Sequence, residues 1–244
     1  MPSHFGLIGY PLGHSFSKKY FEDKFKKSGS LDTYNLFETE AAHSVKALIK
    51  DNNLKGINVT IPHKQAVIPL LDNLDRSAQL VGAVNVIKND GGFLTGFNTD
   101  YPAFRASLKS WLDNTNIKAL VLGTGGASKA VIAALNDLKI PFQQVSRTKS
   151  AKTITYQELL KNSDWIIEHN LIINTTPVGM TPNTDEAPEL PYNLLTPSHY
   201  LYDLVYNPEE TVFLQKGNNI GAKGKNGLEM LHLQAELAWD IWNT

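Results

Sequence analysis

Short apolar runs alternate with amphipathic stretches along most of this chain. Phe5-Gly6-Leu7-Ile8-Gly9, Tyr34-Asn35-Leu36-Phe37 and Gly56-Ile57-Asn58-Val59-Thr60 read as strands. Each is short, largely apolar and bounded by turn-forming residues. Between them, residues 18–27 and 42–50 carry the three-and-four spacing of helices. Pro62-His63-Lys64-Gln65 reads as a helix start with Pro in its first turn. Residues 83–88 and 93–96 flank Asn89-Asp90-Gly91-Gly92, a hairpin signal. From about Tyr101 a helix leads to the apolar run 117–122, a glycine-rich turn and a helix over 129–138. Strands follow at 142–145, 171–174 and 201–205; the four prolines of residues 180–197 mark an extended loop. Residues 227–242 form an amphipathic helix. Strands alternating with helices predict an α/β protein with parallel sheets. Two such runs, separated by a hairpin and a helix, predict two lobes around a ligand cleft.

Composition narrows the function. With 244 residues, 42% of them hydrophobic, the chain can bury one large core or two modest ones. A formal net charge of −1 argues against a broad nucleic-acid surface. Lys18, Lys19, Lys24, Lys26 and Lys27 read as the solvated face of a helix whose other face carries Tyr20, Phe21 and Phe25. The absence of cysteine excludes disulfides, thiolate catalysis and Cys-ligated metals. The seven histidines show no metal-binding spacing, so no metal is expected. No run approaches a membrane span, and the first residues lack the pattern of a secretory signal. The expectation is a cytoplasmic protein with a small-molecule substrate, a monomer or homodimer, engaging neither nucleic acid nor membrane.

The turn Gly123-Thr124-Gly125-Gly126-Ala127 stands between a strand and a helix. Small residues there let backbone N–H groups and the helix N-terminus approach a dinucleotide pyrophosphate. Ala130 is the small residue that packs helix on strand. An acid at the end of the next strand would bind the 2′-hydroxyl of NAD. Ser146-Arg147-Thr148-Lys149 stands there instead. A guanidinium and hydroxyls suit a 2′-phosphate, so the pattern favours NADP. The plainer reading is a tight loop with a solvated arginine.

Polar clusters sit at strand ends: Gly13-His14-Ser15-Phe16-Ser17, Asn58 with Thr60, Asn85, and Asn98-Thr99-Asp100. In parallel sheets such residues face the ligand crevice, although each alone also suits ordinary capping. Lys64 is the exception. In the first turn of a helix its ammonium would oppose the dipole, and a broken local rule marks function. A lysine can exchange a proton with a substrate hydroxyl, and Asp100 is the carboxylate to hold it.

Taken in order, these segments resemble the shikimate dehydrogenase family over most of the chain. The elements are Gly13-His14-Ser15-Phe16-Ser17, Asn58-Val59-Thr60-Ile61-Pro62-His63-Lys64, Gly82-Ala83-Val84-Asn85 and Gly96-Phe97-Asn98-Thr99-Asp100. They continue through the glycine-rich turn, Ser146-Arg147-Thr148, Asn174-Thr175-Thr176-Pro177-Val178-Gly179-Met180, and Gly227-Leu228-Glu229-Met230-Leu231 with Gln234-Ala235. The resemblance implies a substrate domain from 1–100 plus 224–244, and a Rossmann-like, doubly wound NADP domain over 101–223. The final helix returns to the first lobe. It implies reversible, NADP-linked reduction of 3-dehydroshikimate to shikimate in aromatic amino-acid biosynthesis. By position, Ser15 and Ser17 would hold the substrate carboxylate. Thr60, Asn85, Asp100 and Gln234 would bind ring hydroxyls, and Lys64 with Asp100 would form the catalytic pair. Gly123, Gly125, Gly126 and Ala127 would cradle the pyrophosphate. Ser146, Arg147 and Thr148 would meet the 2′-phosphate, and Met180 and Gly227 would lie near the nicotinamide. Lys64 would act as proton donor and acceptor, or stabilise a developing alkoxide.

The chain departs from the family where Lys18 and Tyr20-Phe21 replace a Pro and a His-Asn pair. Ser146 replaces an Asn, and the second basic residue is Lys149 or Lys152. Alternatives are a paralogue acting on quinate, with NADP or NAD, and a catalytically silent NADP-binding regulator. A folate-type methylene dehydrogenase shares the layout but leaves Asn98-Thr99-Asp100 and Gln234 without a purpose.

Overall fold

The computed structural model describes residues 2–13 and 15–244. By backbone contacts the chain forms two compact units: Met1–Pro102 with Gln234–Thr244, and Ala103–Leu233. Both divisions fall inside helices, the second of them ten residues beyond the 224 boundary expected from sequence.

The first unit contains β1 (His4–Gly9), α1 (Phe16–Ser28), β2 (Thr33–Glu38), α2 (Val45–Asp51), β3 (Leu54–Val59) and β4 (Asn73–Leu74). It continues with α3 (Arg76–Val81), β5 (Val86–Asp90), β6 (Phe93–Phe97) and the start of α4 (Asp100–Trp111). The strand order is β2-β1-β3-β5-β6-β4. β1 pairs parallel with β2 and β3, but β5 runs antiparallel to both β3 and β6. The expectation of a parallel sheet is corrected here to a mixed one, because the β5–β6 hairpin joins the sheet edge. Its two-residue connection needs left-handed backbone, which Gly91 and Gly92 supply at φ 63° and 102°.

The two faces of this sheet carry separate cores. Phe5 and Leu7 face one side and Ile8 the other, the period-2 alternation of a strand buried on both faces. Ile8 joins Val45, Ile49, Ile57, Val59 and Ile87 beneath α2. Phe5 joins Phe21 and Phe25 of α1, Tyr34, and Trp242 of α9 (Leu228–Asn243). Trp242 stacks on Phe5 with centroids 4.8 Å apart, and its indole N–H donates to the Ile87 carbonyl at 3.1 Å. Lys19, Lys26 and Lys27 are exposed as expected, but Lys24 is half-buried over the Trp239 ring of α9. Lys24 pairs with Glu236 of α9.

The helix expected from Pro62 does not form. Residues 61–67 are a series of tight turns, with His63 N–H on Thr60 O and Val67 N–H on His63 O. The Lys64 carbonyl is taken by the Val84 N–H at 2.7 Å, so it is withdrawn from any helical ladder.

The second unit contains β7 (Ala119–Leu122), α5 (Gly126–Asp137), β8 (Phe142–Ser146), β9 (Thr153–Thr155), α6 (Tyr156–Lys161) and α7 (Asp164–Ile167). β10 (Leu171–Asn174), β11 (Tyr200–Asp203), α8 (Val212–Asn218), β12 (Lys223–Lys225) and the first turns of α9 complete it. The sheet is parallel throughout, in the order β12-β11-β10-β7-β8-β9. This is the doubly wound dinucleotide-binding order, in which the direction of winding reverses between the first and fourth strands, here β7 and β10. Ligands bind outside the carboxyl ends of strands at that reversal. Gly123 follows β7, and Thr175 follows β10.

Candidate functional site

In the first unit Lys64 and Asp100 meet. Lys64 Nζ donates to Asp100 Oδ2 at 2.6 Å, with side-chain exposures of 20% and 14%. Neither residue owes this to its local segment. Lys64 is held by its turn and by Val84, and Asp100 opens α4, where an acid suits the helix N-terminus. The other carboxylate oxygen, Oδ1, accepts from Asn85 Nδ2 at 2.9 Å. Asn85 is itself fixed. Its Oδ1 accepts the Thr99 N–H at 2.8 Å, and its backbone N–H reaches the Phe97 carbonyl. Asn98, beside them, donates to the Ala83 carbonyl at 3.0 Å. The N-T-D segment thus ties the end of β6 to the turn before β5.

Hydrogen bonding extends this cluster toward α1. Asn58 Nδ2 donates to the Asn85 carbonyl at 3.3 Å, and Asn58 Oδ1 accepts from the Tyr34 hydroxyl at 2.7 Å. Ser17 of α1 lies near the Tyr34 phenol. Burial pushes that phenol well above its ordinary value, and Ser17 opposes the shift. Lys64, Asp100, Asn85, Asn58 and Tyr34 therefore form one continuous chain of hydrogen bonds. Tyr34 escaped the sequence reading because a tyrosine in a strand is ordinary core. Asn58 was visible as a polar residue in an apolar strand.

The other residues expected at the substrate stand outside this hydrogen-bonded chain. Ser15 caps α1, its Oγ accepting from the Lys18 N–H at 3.4 Å. Thr60 follows β3, and its N–H donates to the Ile8 carbonyl. Gln234 lies on α9, part-exposed. His14 lies outside the described residues. His63 is 2% exposed and contacts the Thr39 carbonyl at 2.6 Å, a structural role.

In the second unit a cavity of about 800 Å³ opens at the winding reversal. Gly123, Thr124, Gly125, Ser146 and Arg147 line one part of it, and residues 175–178 another. Gly123 has φ 103°, and a Cβ there would stand 2.9 Å from both Thr175 Oγ1 and Thr176 Cγ2. Gly125 and Gly126 differ: a Cβ on either would meet no protein atom, so their open side is a cradle. Gly125 caps α5 without any side-chain bond, which leaves the first-turn N–H groups of α5 to a ligand. Ala127 lies in that first turn, and Ser128 Oγ donates back to the Gly125 carbonyl at 2.7 Å.

The basic edge of the cavity is set by β8. Ser146 Oγ accepts from the Thr148 N–H at 3.2 Å, fixing the turn. Arg147 is exposed, and Thr148 stands exposed beside it. Lys149 is drawn to Glu158 of α6. Tyr156, Glu186 and Glu189 also line the cavity; sequence reading missed all three. Burial raises the Tyr156 phenol, the Arg147 charge opposes that shift, and Glu189 adds to it. The open glycine cradle, the uncapped helix and the arginine without an acid at the end of β8 fit a dinucleotide bearing a 2′-phosphate. Met180 is 44% exposed and does not line this cavity. Gly227 precedes α9, and a Cβ on it would stand 2.2 Å from the Leu204 carbonyl oxygen. Backbone packing alone requires a glycine there.

Among the described residues, no three His, Asp or Glu side chains gather as a metal site, and no helix is long and apolar enough to cross a membrane.

Known proteins resemble this chain over nearly its whole length. A sequence profile described as "Shikimate dehydrogenase substrate binding domain" matches residues 7–87. The shikimate dehydrogenase (NADP(+)) of Desulforamulus reducens is 36% identical over 258 residues, covering 97% of this chain and 88% of the relative. The crystal structure of shikimate 5-dehydrogenase from Thermus thermophilus in complex with NADP(H) and shikimate superposes with a TM-score of 0.85 at 30% identity, covering 98% of this chain and 93% of that one. That of Listeria monocytogenes, in complex with shikimate and NAD, gives 0.88 at 30% identity, covering 99% and 92%. Identity above 30% over nearly the full length and a matching fold lead to one conclusion: this chain belongs to the shikimate dehydrogenase family.

Proposed function

We propose that this chain catalyses the reversible, NADP-dependent reduction of 3-dehydroshikimate to shikimate, with Lys64 and Asp100 handling the proton. The observation that carries the reading is the Lys64–Asp100 contact at 2.6 Å, with Asn85 on the second carboxylate oxygen. Lys64 and Asn85, from separate segments, converge there on the two oxygens of one carboxylate. Family membership makes a small hydroxy acid and NADP the reactants.

NADPH, when bound, supplies the hydride that adds to the carbonyl carbon. The residues of the chain bind, orient and move the proton. In reduction the Lys64 ammonium donates a proton to the carbonyl oxygen as that oxygen becomes a hydroxyl. In oxidation the Lys64 amine takes it back. Asp100 orients Nζ through Oδ2, and Asn85 keeps Asp100 from turning. Asn85 and Asp100, with Thr60 and Gln234, bind the ring hydroxyls. Ser15 and Ser17 bind the carboxylate. In the second unit Gly123, Gly125, Gly126 and Ala127 hold the pyrophosphate. Ser146, Arg147 and Thr148 would hold the 2′-phosphate.

The test is NADP reduction followed by absorbance, with shikimate and with quinate, each against NADP and NAD. Turnover confined to shikimate with NADP is the expected result. Preference for quinate or NAD would replace the substrate or cofactor. Folded protein that binds NADP but turns over no pair would make the chain a cofactor-binding regulator.

A further inference from the structure

Asp203 ends β11 with no part in the chemistry above, yet it is a carboxylate with 0% exposure. Three donors converge on it. Oδ1 accepts from Asn174 Nδ2 at 2.9 Å and from the Val205 N–H at 3.0 Å, and Oδ2 accepts from Thr211 Oγ1 at 2.6 Å. Two of these partners control the segment that walls the cofactor cavity. Asn174 ends β10, and its own Oδ1 accepts both the Thr176 N–H at 3.0 Å and the Thr176 hydroxyl at 2.7 Å. A carboxylate only accepts, so Asp203 selects one of the two orientations of the Asn174 amide. The flipped amide would set an acceptor against the carboxylate and a donor against the Thr176 N–H. On the other side, Thr211 packs against Gly179: its Cβ lies 3.6 Å from where a Cβ on that glycine would stand. Both ends of the 174–179 turn thus lead back to Asp203, and residues 175–178 of that turn line the cavity.

We propose that Asp203 is a positioning residue for the cofactor: through Asn174 and Thr211 it sets the shape of the 174–179 wall and so the affinity for NADP. The inference rests on the reading that this cavity takes NADP. Asp203 touches no ligand itself. A merely structural buried carboxylate would affect stability alone; a positioning one splits the kinetic constants.

The experiment is calorimetric titration of NADP into the full chain and its Asp203→Asn and Thr211→Val variants, with KM measured for both reactants. Asp203→Asn places an amide N–H₂ where a donor already points, and Thr211→Val removes one donor without adding bulk. The expected result is NADP affinity weaker by roughly tenfold or more in Asp203→Asn and several-fold in Thr211→Val. KM for shikimate at saturating NADP, kcat and the far-ultraviolet dichroism stay unchanged. NADP affinity within twofold of the unaltered chain in both variants would overturn the proposal. Should Asp203→Asn fail to fold, the Thr211→Val result decides. Failure of the unaltered chain to bind NADP would overturn the reading of the cavity, a distinct outcome.

Discussion

At the residue scale, two charges stand where local rules argue against them, and both turn out to have partners. Lys64 carries the one formal charge in the turn 61–67, and Asp203 interrupts the apolar run from Tyr200 to Val205. The signal in each case is an ionisable group whose neighbours in sequence offer no reason for it. For Lys64 the dipole argument fails with the missing helix, but the residue it selects is the one that meets Asp100. Replacing Lys64 with Ala lowers kcat by roughly 10²–10⁴-fold in steady-state assays, the range for loss of a positioned acid–base group. An unchanged kcat would remove Lys64 from the reaction. For Asp203 the outcome is a pH dependence of stability. Burial pushes its carboxyl up to about 6 from an ordinary value of 3.8, against the pull of three hydrogen bonds. Between those values the folded chain keeps a proton that the unfolded chain has lost. Its contribution to stability is therefore largest below about pH 4, falls as pH rises to about 6, and is level above that. The full swing is about 3 kcal/mol. Urea titrations from pH 4 to 7 should show this slope in the unaltered chain and lose it in Asp203→Asn.

At the element scale, legibility follows length and amphipathicity. α1, α5, α9, β10 and the β5–β6 hairpin lie within a residue or three of where periodicity predicts them, because burial of an apolar face decides them locally. β4, β9 and β12 run two or three residues, too short for any alternation, and only pairing with a neighbour makes them strands. α6 escaped the periodicity reading as well, yet it carries a complete capping box: Thr155 Oγ1 accepts from the Glu158 N–H at 3.1 Å, and Glu158 accepts from the Thr155 N–H at 2.9 Å. Thr155→Ala should cost about 1 kcal/mol, read as a lower urea midpoint at constant m. Lys149→Ala should leave the midpoint nearly unchanged, because its pair with Glu158 is solvated. A large loss there would mean that the pair, rather than the cap, holds α6.

At the scale of the whole molecule, two sheets with separate cores divide the work. Unit one brings Lys64, Asp100 and Asn85 together, and unit two holds the cavity at its winding reversal. Binding to one unit stabilises that unit first, since a ligand protects what it orders. Saturating NADP should therefore slow amide exchange, read by mass spectrometry, over 123–131 and 175–178 more than over 4–9. Uniform protection, or none at the glycine turn, would remove the cavity as the cofactor site. The strand–turn–helix unit, the missing acid after β8 and the polar motifs determined the α/β class, the dinucleotide and the family from sequence alone. They could do so because glycine conformation, anion binding at a helix start and apolar periodicity are properties of contiguous residues. Tertiary structure alone decided the rest. It made the first sheet mixed, replaced the helix at Pro62 with turns and brought Asp203 against Asn174 and Thr211. It also linked Tyr34 to Lys64 through Asn58, Asn85 and Asp100. Each depends on hydrogen-bond partners far apart in the chain, and only packing selects which distant donor meets which acceptor.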